Sequence, residues 1–276
     1  MKVADILEVD GCRLVEPSFA ELTIDSCTAL LLEAGADEAR FLVDEDEEPL
    51  ALALHDGTGW RAASFLFRDP NLAAIECFEA LDGEIYQEKR EAWLSAVREY
   101  YSMELSATTV PAFEDLRPER EEMIRDLIRE VWGDRAGTLC LDCCCGSGVG
   151  TAALRADGVR ALACDNDPAL LALGLAKGRL VPEDTMCIDA RVAADYIAPV
   201  PLGVAFMAGE IYSYNADLWE KIITELLDLT DETLVTVGTE AEAARVEGWC
   251  AGRDVEVFEN RRDPIYDRWC CVARRA

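Results

Sequence analysis

The residues able to do chemistry gather around one glycine-rich segment. Leu139-Cys-Leu-Asp-Cys-Cys-Cys-Gly-Ser-Gly-Val-Gly-Thr151 puts Asp142 inside an apolar run that breaks at once into Gly146, Gly148 and Gly150. A strand, a tight glycine turn and a helix in that order let a ligand approach the backbone and meet the N–H groups that open the helix. Asp142 stands at the carboxyl end of the strand, where open α/β sheets bind ligands. A second apolar run, Arg160-Ala-Leu-Ala-Cys-Asp165, also ends on a carboxylate, 19 residues beyond Gly146. An acid about 20 residues from the turn suits a ribose hydroxyl pair. Asp167, just before Pro168, is the natural helix cap, which leaves Asp165 for a ligand.

Two ligand chemistries compete for such a turn. A dinucleotide site requires G-x-G-x-x-G, whereas Gly146-Ser-Gly148-Val-Gly150 spells G-x-G-x-G. Asp142 would also set a negative charge against a pyrophosphate. The same carboxylate suits the ammonium of an amino-acid-bearing cofactor. At residues 141–148 the sequence LDCCCGSG resembles the first motif of the class I S-adenosylmethionine-dependent methyltransferases, L-D-x-G-C-G-T-G. Cys144 replaces the first glycine, as in the L-D-x-C-C-G-T-G form of that motif. The resemblance runs over residues 118–276.

What the resemblance implies is specific. The cofactor is S-adenosyl-L-methionine and the activity is methyl transfer. Asp142, Cys144, Gly146 and Gly148 form the cofactor turn, Asp165 takes the ribose, and Asn166 lies beside the adenine. Asp189 and Ala190, from Cys187-Ile-Asp-Ala, meet the adenine amino group. A non-catalytic binder of the same cofactor and a nicotinamide-dependent oxidoreductase remain as alternatives.

The loop after the fourth strand of such a domain faces the transferable methyl. Here it reads Met207-Ala-Gly-Glu-Ile-Tyr-Ser-Tyr-Asn215. It lacks the Asn/Asp-Pro-Pro-Tyr/Phe stretch of enzymes that methylate nucleobase or glutamine amides. Glu210 is the candidate to orient or deprotonate an acceptor, and Tyr212 and Tyr214 are candidates for a pocket wall. The alternative for all three is a solvated or packed loop. The acceptor itself is not legible, and a small molecule or a protein is favoured over nucleic acid.

Cys140, Cys143, Cys144 and Cys145 raise the question of a metal. The spacing C-x2-C-C-C has no second spaced pair, and the one histidine, His55, is remote in sequence. Adjacent cysteines on a strand also point to opposite faces. Reduced, buried thiols and no metal are expected of the twelve cysteines.

These residues need a doubly wound scaffold. Strands are expected at 138–143, 160–165, 185–189, 203–207 and 233–238, with helices at 149–156, 168–177, 215–229 and 240–251. A final strand pair follows at 255–260 and 266–274. An amphipathic helix at 117–132, with Pro118 in its first turn, precedes them, and residues 199–203 read as a loop. This alternation predicts an α/β, Rossmann-like, mostly parallel seven-stranded sheet. Residues 1–115 read as an α+β domain for accessory or substrate-recognition work, and 116–276 as the S-adenosylmethionine-binding domain. The first has a helix at 26–33, strands at 39–43, 50–55 and 60–67, and one or two helices over 71–101 broken near Asp82-Gly83. Trp93, Val97 and either Tyr100 or Tyr101 share a helical face suited to core packing.

Composition bounds the partners. The chain of 276 residues carries 55 acidic against 26 basic residues, a net charge of −29. Such a field repels a phosphate backbone, so nucleic acid is disfavoured. No apolar stretch reaches the roughly 20 residues of a membrane helix. The amino terminus has no apolar signal core, and a cytoplasmic location is expected. Oligomeric state is not legible.

Overall fold

A computed structural model describes residues 1–33, 35–114 and 117–275. The chain divides into two compact units, Met1–Glu104 and Leu105–Ala276. The domain boundary expected at residues 115 and 116 falls on residues outside the described ones.

The first unit runs α1 (Val3–Ile6), β1 (Cys12–Leu14), α2 (Cys27–Leu32), β2 (Glu38–Val43), β3 (Pro49–His55), β4 (Trp60–Ser64), α3 (Leu72–Ala80), β5 (Glu84–Gln87) and α4 (Arg90–Thr108). The last of these continues past Glu104. Its five strands are ordered β1-β4-β3-β2-β5. The three central strands are antiparallel, while β1 joins β4 and β5 joins β2 in parallel. All of Leu50 to Leu54 is buried, as an apolar strand covered on both faces must be. Leu31, Leu52, Leu54, Phe65 and Ala74 form a core on one side of the sheet. Trp93 and Val97 are buried as expected, Tyr101 rather than Tyr100 is the buried tyrosine, and Trp93 Nε1 donates to Ser64 Oγ at 3.2 Å.

The stretch 71–101 is not purely helical. Asn71 caps α3 by accepting from the Ala74 N–H at 2.9 Å. After the helix, Asp82 adopts φ +47°, which turns the chain so that β5 can lie along β2. Four residues paired on one side carry too little alternation to be seen in sequence.

The second unit alternates helix and strand. It comprises α5 (Arg120–Trp132), β6 (Leu139–Cys143), α6 (Val149–Ala156), β7 (Arg160–Asp165), α7 (Pro168–Ala176) and β8 (Thr185–Cys187). It continues with β9 (Val200–Ala205), α8 (Ala216–Leu229), β10 (Thr230–Val237), α9 (Glu240–Trp249), β11 (Arg253–Glu259) and β12 (Trp269–Arg275). The sheet order is β11-β12-β10-β9-β6-β7-β8. Strands β6 to β10 are parallel and β12 is antiparallel to both neighbours. This is the expected Rossmann-like, doubly wound sheet. Its order reverses between β6 and β9, which opens a crevice at their carboxyl ends. Helices α5 and α6 bury Ile124, Leu127, Ile128, Val149 and Leu154 against Cys140, Leu202 and Val204 of the sheet. Pro118 precedes α5 rather than sitting in its first turn. Among the described residues no helix is long and apolar enough to cross a membrane.

Residues 199–203 are not a loop: Val200 begins β9. Pro201 is tolerated because pairing with β6 starts only at Leu202, so its missing N–H costs no bond to that strand. Gly203 is needed for packing. A Cβ there would stand 2.5 Å from Thr230 Cγ2 and 2.9 Å from Leu226 Cδ1. Gly203→Ala is therefore expected to destabilise the protein by about 1–3 kcal/mol, measured by urea unfolding. An unchanged midpoint would show that α8 has room to move.

Candidate functional site

The crevice between β6 and β9 holds a cavity of about 650 Å³. Asp142, Cys144, Gly146, Asp165, Asn166, Asp189 and Ala190 all line it, so the structure brings together seven of the eight residues expected at the cofactor. Gly148 is the exception. It caps α6 in a left-handed conformation at φ +75°, and the position of its missing Cβ faces Leu180 at 2.6 Å. It shapes the turn from behind.

The turn is held by strand-end groups. The Cys145 N–H donates to Cys164 O at 3.0 Å and the Gly148 N–H to Cys145 O at 2.9 Å. Cys144 itself has φ +57°, the left-handed conformation for which glycine is the usual residue. Asp165 accepts from the Gly146 N–H and the Asp167 N–H, each at 2.8 Å. Each carboxylate oxygen keeps acceptor capacity beyond its backbone bond. Asp167 caps α7 through the Ala169 and Leu170 N–H groups, ahead of Pro168.

Burial dominates the electrostatics. Asp142 is 1% exposed, and burial pushes its carboxyl up to about 7, against the lowering effect of the Thr151 hydroxyl. That hydroxyl donates to Asp142 Oδ2 at 2.6 Å. Burial also raises Asp165, against the backbone N–H donors of Asp167 and Gly146. The Arg191 guanidinium holds Asp189 below the usual carboxylate range. Its Nε donates to Asp189 Oδ1 and Oδ2 at 3.0 and 2.9 Å, and Asp189 also accepts from the Arg191 N–H. Asp189 thus caps a short 3-10 turn, Ala190–Asp195.

Several lining residues carry no short-range signal. Arg120 reaches the cavity from α5. Its Nε donates to the buried Asp267 at 3.1 Å, and its guanidinium lies 5.2 Å from the Tyr266 ring centre. Thr236 Oγ donates to the same Asp267 at 2.6 Å and accepts from the Met207 N–H at 2.7 Å. Phe206 and Trp219 complete the wall. A Cβ on Gly150 would fall 2.4 Å from Phe206 and 3.1 Å from Asp142 Oδ2, so the third glycine serves close packing.

Glu210 and Tyr212 are not among the cavity-lining residues. Glu210 is exposed, and the Tyr212 hydroxyl donates to it at 2.7 Å. Tyr212 and Tyr214 stack with ring centres 5.5 Å apart. The loop's shape is set by other bonds: the Ile211 N–H to Glu242 and the Tyr212 N–H to Asn215. Met207 and Gly209 are the loop residues that face the cavity.

Of the four clustered cysteines, Cys140 and Cys143 are buried, whereas Cys144 and Cys145 are half-buried and line the cavity. The Cys143 thiol bonds those of Cys144 and Cys164, contacts that raise it well above the ordinary thiol range. Burial raises Cys140 and Cys145 likewise. Among the described residues no group of three or more His, Cys, Asp or Glu side chains is placed to hold a metal ion.

No family model and no curated protein matches the sequence. The fold is similar to several solved structures. Magnesium protoporphyrin IX methyltransferase from Synechocystis, with bound SAM, is 13% identical at a TM-score of 0.44, covering 66% of this chain and 96% of that one. A TehB-like SAM-dependent methyltransferase from Corynebacterium glutamicum is 17% identical at 0.42, covering 56% and 88%. Precorrin 8W decarboxylase from Methanobacterium thermoautotrophicum is 18% identical at 0.43, covering 60% and 94%.

The Asp142 carboxyl supplies a test of its surroundings. Its folded pKa lies above the ordinary value of 3.8. Between pH 4 and 7 the unfolded chain therefore loses a proton that the native protein keeps, and this residue's contribution to stability falls as pH rises. Asp142→Asn is expected to gain about 2–3 kcal/mol relative to the parent between pH 5 and pH 8, read from urea unfolding at both pH values. A constant difference would place the carboxyl in a polar site.

Proposed function

We propose that the chain binds S-adenosyl-L-methionine in this cavity and transfers its methyl group to an acceptor that is a small molecule or a protein. The observation that carries the reading is the pairing of two strand-end carboxyls, Asp142 and Asp165, on either side of one glycine turn in one cavity. The residues present fit the group. Asp142 is buried with a single hydroxyl donor from a side chain, a setting that favours a cationic partner. Asp142 would hold the ammonium and Arg120 the carboxylate of the amino-acid part. Asp165 would hold the ribose, and Asn166, Asp189 and Ala190 the adenine.

When bound, the cofactor supplies a methyl already activated on a sulfonium. What the protein must add is alignment and exclusion of water. Phe206, Met207 and Trp219 wall the cavity for that purpose. Glu210 and Tyr212 stand next to Gly209 on the outer side of the loop, and we assign them to contact with the acceptor. A nicotinamide cofactor is disfavoured by Asp142, whose charge would oppose a pyrophosphate. The exposed position of Glu210 favours one second reading, a non-catalytic binder of the same cofactor. The first unit, with its own core and sheet, is assigned to substrate recognition.

Calorimetry with S-adenosylhomocysteine and NAD tests the cofactor. Asp165→Ala is expected to weaken S-adenosylhomocysteine by about 10–100-fold, as for a hydrogen bond to a charged group, and tight binding of NAD alone would overturn the assignment. Because an ammonium favours ionised Asp142, affinity is expected to rise about tenfold per pH unit below 7 and to level off above it. A flat profile in the parent protein would remove Asp142 from the ammonium site.

Incubation with methyl-labelled donor and size-fractionated extract separates enzyme from binder and small acceptors from proteins. In that assay Glu210→Gln is expected to lower turnover while leaving cofactor affinity unchanged. Full turnover would leave the transfer to alignment alone.

A further inference from the structure

A second concavity lies wholly within the first unit, between α3 and β5. It encloses about 640 Å³ and its floor is apolar, formed by Phe41, Val43, Pro49, Ile75, Phe78 and Ile85. Ile85 is 67% exposed, and so is Leu72 at 69%, one helical turn before Ile75. The strand β5 is an edge, with β2 as its one neighbour. The Glu88 N–H bonds Val43 O at 3.1 Å. Alternate residues of a parallel strand face its partner, so Ile85 and Gln87 turn their N–H and C=O groups to the open side. Proteins ordinarily blunt such an edge with a charge or a proline; here the two outward residues are isoleucine and glutamine.

The charge around this groove is one-sided. Five consecutive acids, Asp44-Glu-Asp-Glu-Glu48, form the β2–β3 turn. Glu47 of that turn and Glu79 of α3 line the groove, and no basic residue does so among the described residues. The first 104 residues hold 24 carboxylates against 8 basic residues, and the remaining 172 hold 31 against 18. Negative charge is therefore about twice as dense in this unit. Several of its arginines are engaged within the unit, one of them on the turn itself: Arg90 Nη1 lies 3.5 Å from Asp44 Oδ2. Arg68 is buried on Glu16, and Arg40 lies 5.0 Å from the ring centres of both Trp60 and Tyr86.

We propose that this groove docks an extended, basic segment of a partner polypeptide, added to the sheet as a strand on β5. Strand addition draws affinity from the open backbone groups and specificity from alternate side chains. Apolar side chains on one face of the segment meet Ile75, Phe78 and Ile85, and lysines or arginines meet the acidic turn. A second copy of this chain would bring the same acidic turn against its own, and a nucleic acid is repelled by it. The inference stands whether or not the chain transfers methyl groups.

The test uses the full chain and three fluorescein-labelled octapeptides, alternating Lys-Val, Glu-Val and Lys-Ser, read by anisotropy. Saturable binding of Lys-Val is expected, weakening as salt rises, with Glu-Val not binding and Lys-Ser at least tenfold weaker. Ile85→Pro removes an outward N–H without touching the β2 ladder, and Ile85→Arg puts charge on the exposed floor. Each is expected to weaken Lys-Val at least tenfold with unchanged circular dichroism and melting. Should the proline variant unfold, the arginine variant carries the test alone. Equal binding of Glu-Val or Lys-Ser, or folded Ile85 variants that bind like the parent, would overturn the proposal. So would self-association that sedimentation shows to be lost in Ile85→Arg, since the occupant would then be a second copy.

Discussion

A carboxyl group taken out of water is the constraint around which the second unit is arranged. Asp142 stands one residue before the end of β6 at 1% exposure, and a buried carboxyl must be neutralised, hydrogen-bonded or paired. Thr151 supplies the bond from the first turns of α6, which ties helix to strand across the glycine turn. Gly150 allows the approach, because a side chain there would displace Phe206 or the carboxyl itself. The pairing of Asp165 with the Gly146 N–H then ties the same turn to β7. The cavity is thus bounded by groups that hold one another in place, which is the condition for a pre-formed site.

The two units solve the burial problem differently. In the second, a mostly parallel sheet is covered by helices on both faces and its cavity sits at the strand ends, where the order reverses. In the first, a smaller mixed sheet buries Leu50 to Leu54 of β3 but leaves β5 as a bare edge beside an apolar groove. A strand end gathers dipoles and carboxylates around a small ligand. An open edge offers a row of backbone donors and acceptors to another chain. The different surfaces suit ligands of different kinds.

Much of the second unit is determined locally and was legible without coordinates. Strand β7 and helix α6 have the bounds their sequences imply, because an apolar run ending at Asp165 and a glycine turn before Val149 leave few alternatives. The same local logic placed Asp142, Asp165 and Asp167, whose positions follow from strand ends and a proline-led helix. In the first unit, the buried run Leu50 to Leu54 and the helical face of Trp93 and Val97 were equally plain, while the choice between Tyr100 and Tyr101 was not. What escaped was short or one-sided: β1, β5, and the opening residues of β9 around Pro201.

By itself, then, the amino-acid sequence determined the alternation of elements, the seven-stranded sheet and the turn at its centre, since each depends on periodicity and on residues with restricted backbones. Tertiary structure alone decided which side chains share the cavity. Arg120 arrives from a helix before the first strand, and Arg191 and Trp219 from far beyond it. It also decided that Gly148 packs on Leu180 and that Glu210 and Tyr212 bond each other on the outer side of their loop. The physical reason is that sequence spacing sets which element a residue belongs to, whereas the direction of a side chain depends on what packs behind it, and those neighbours come from distant parts of the chain.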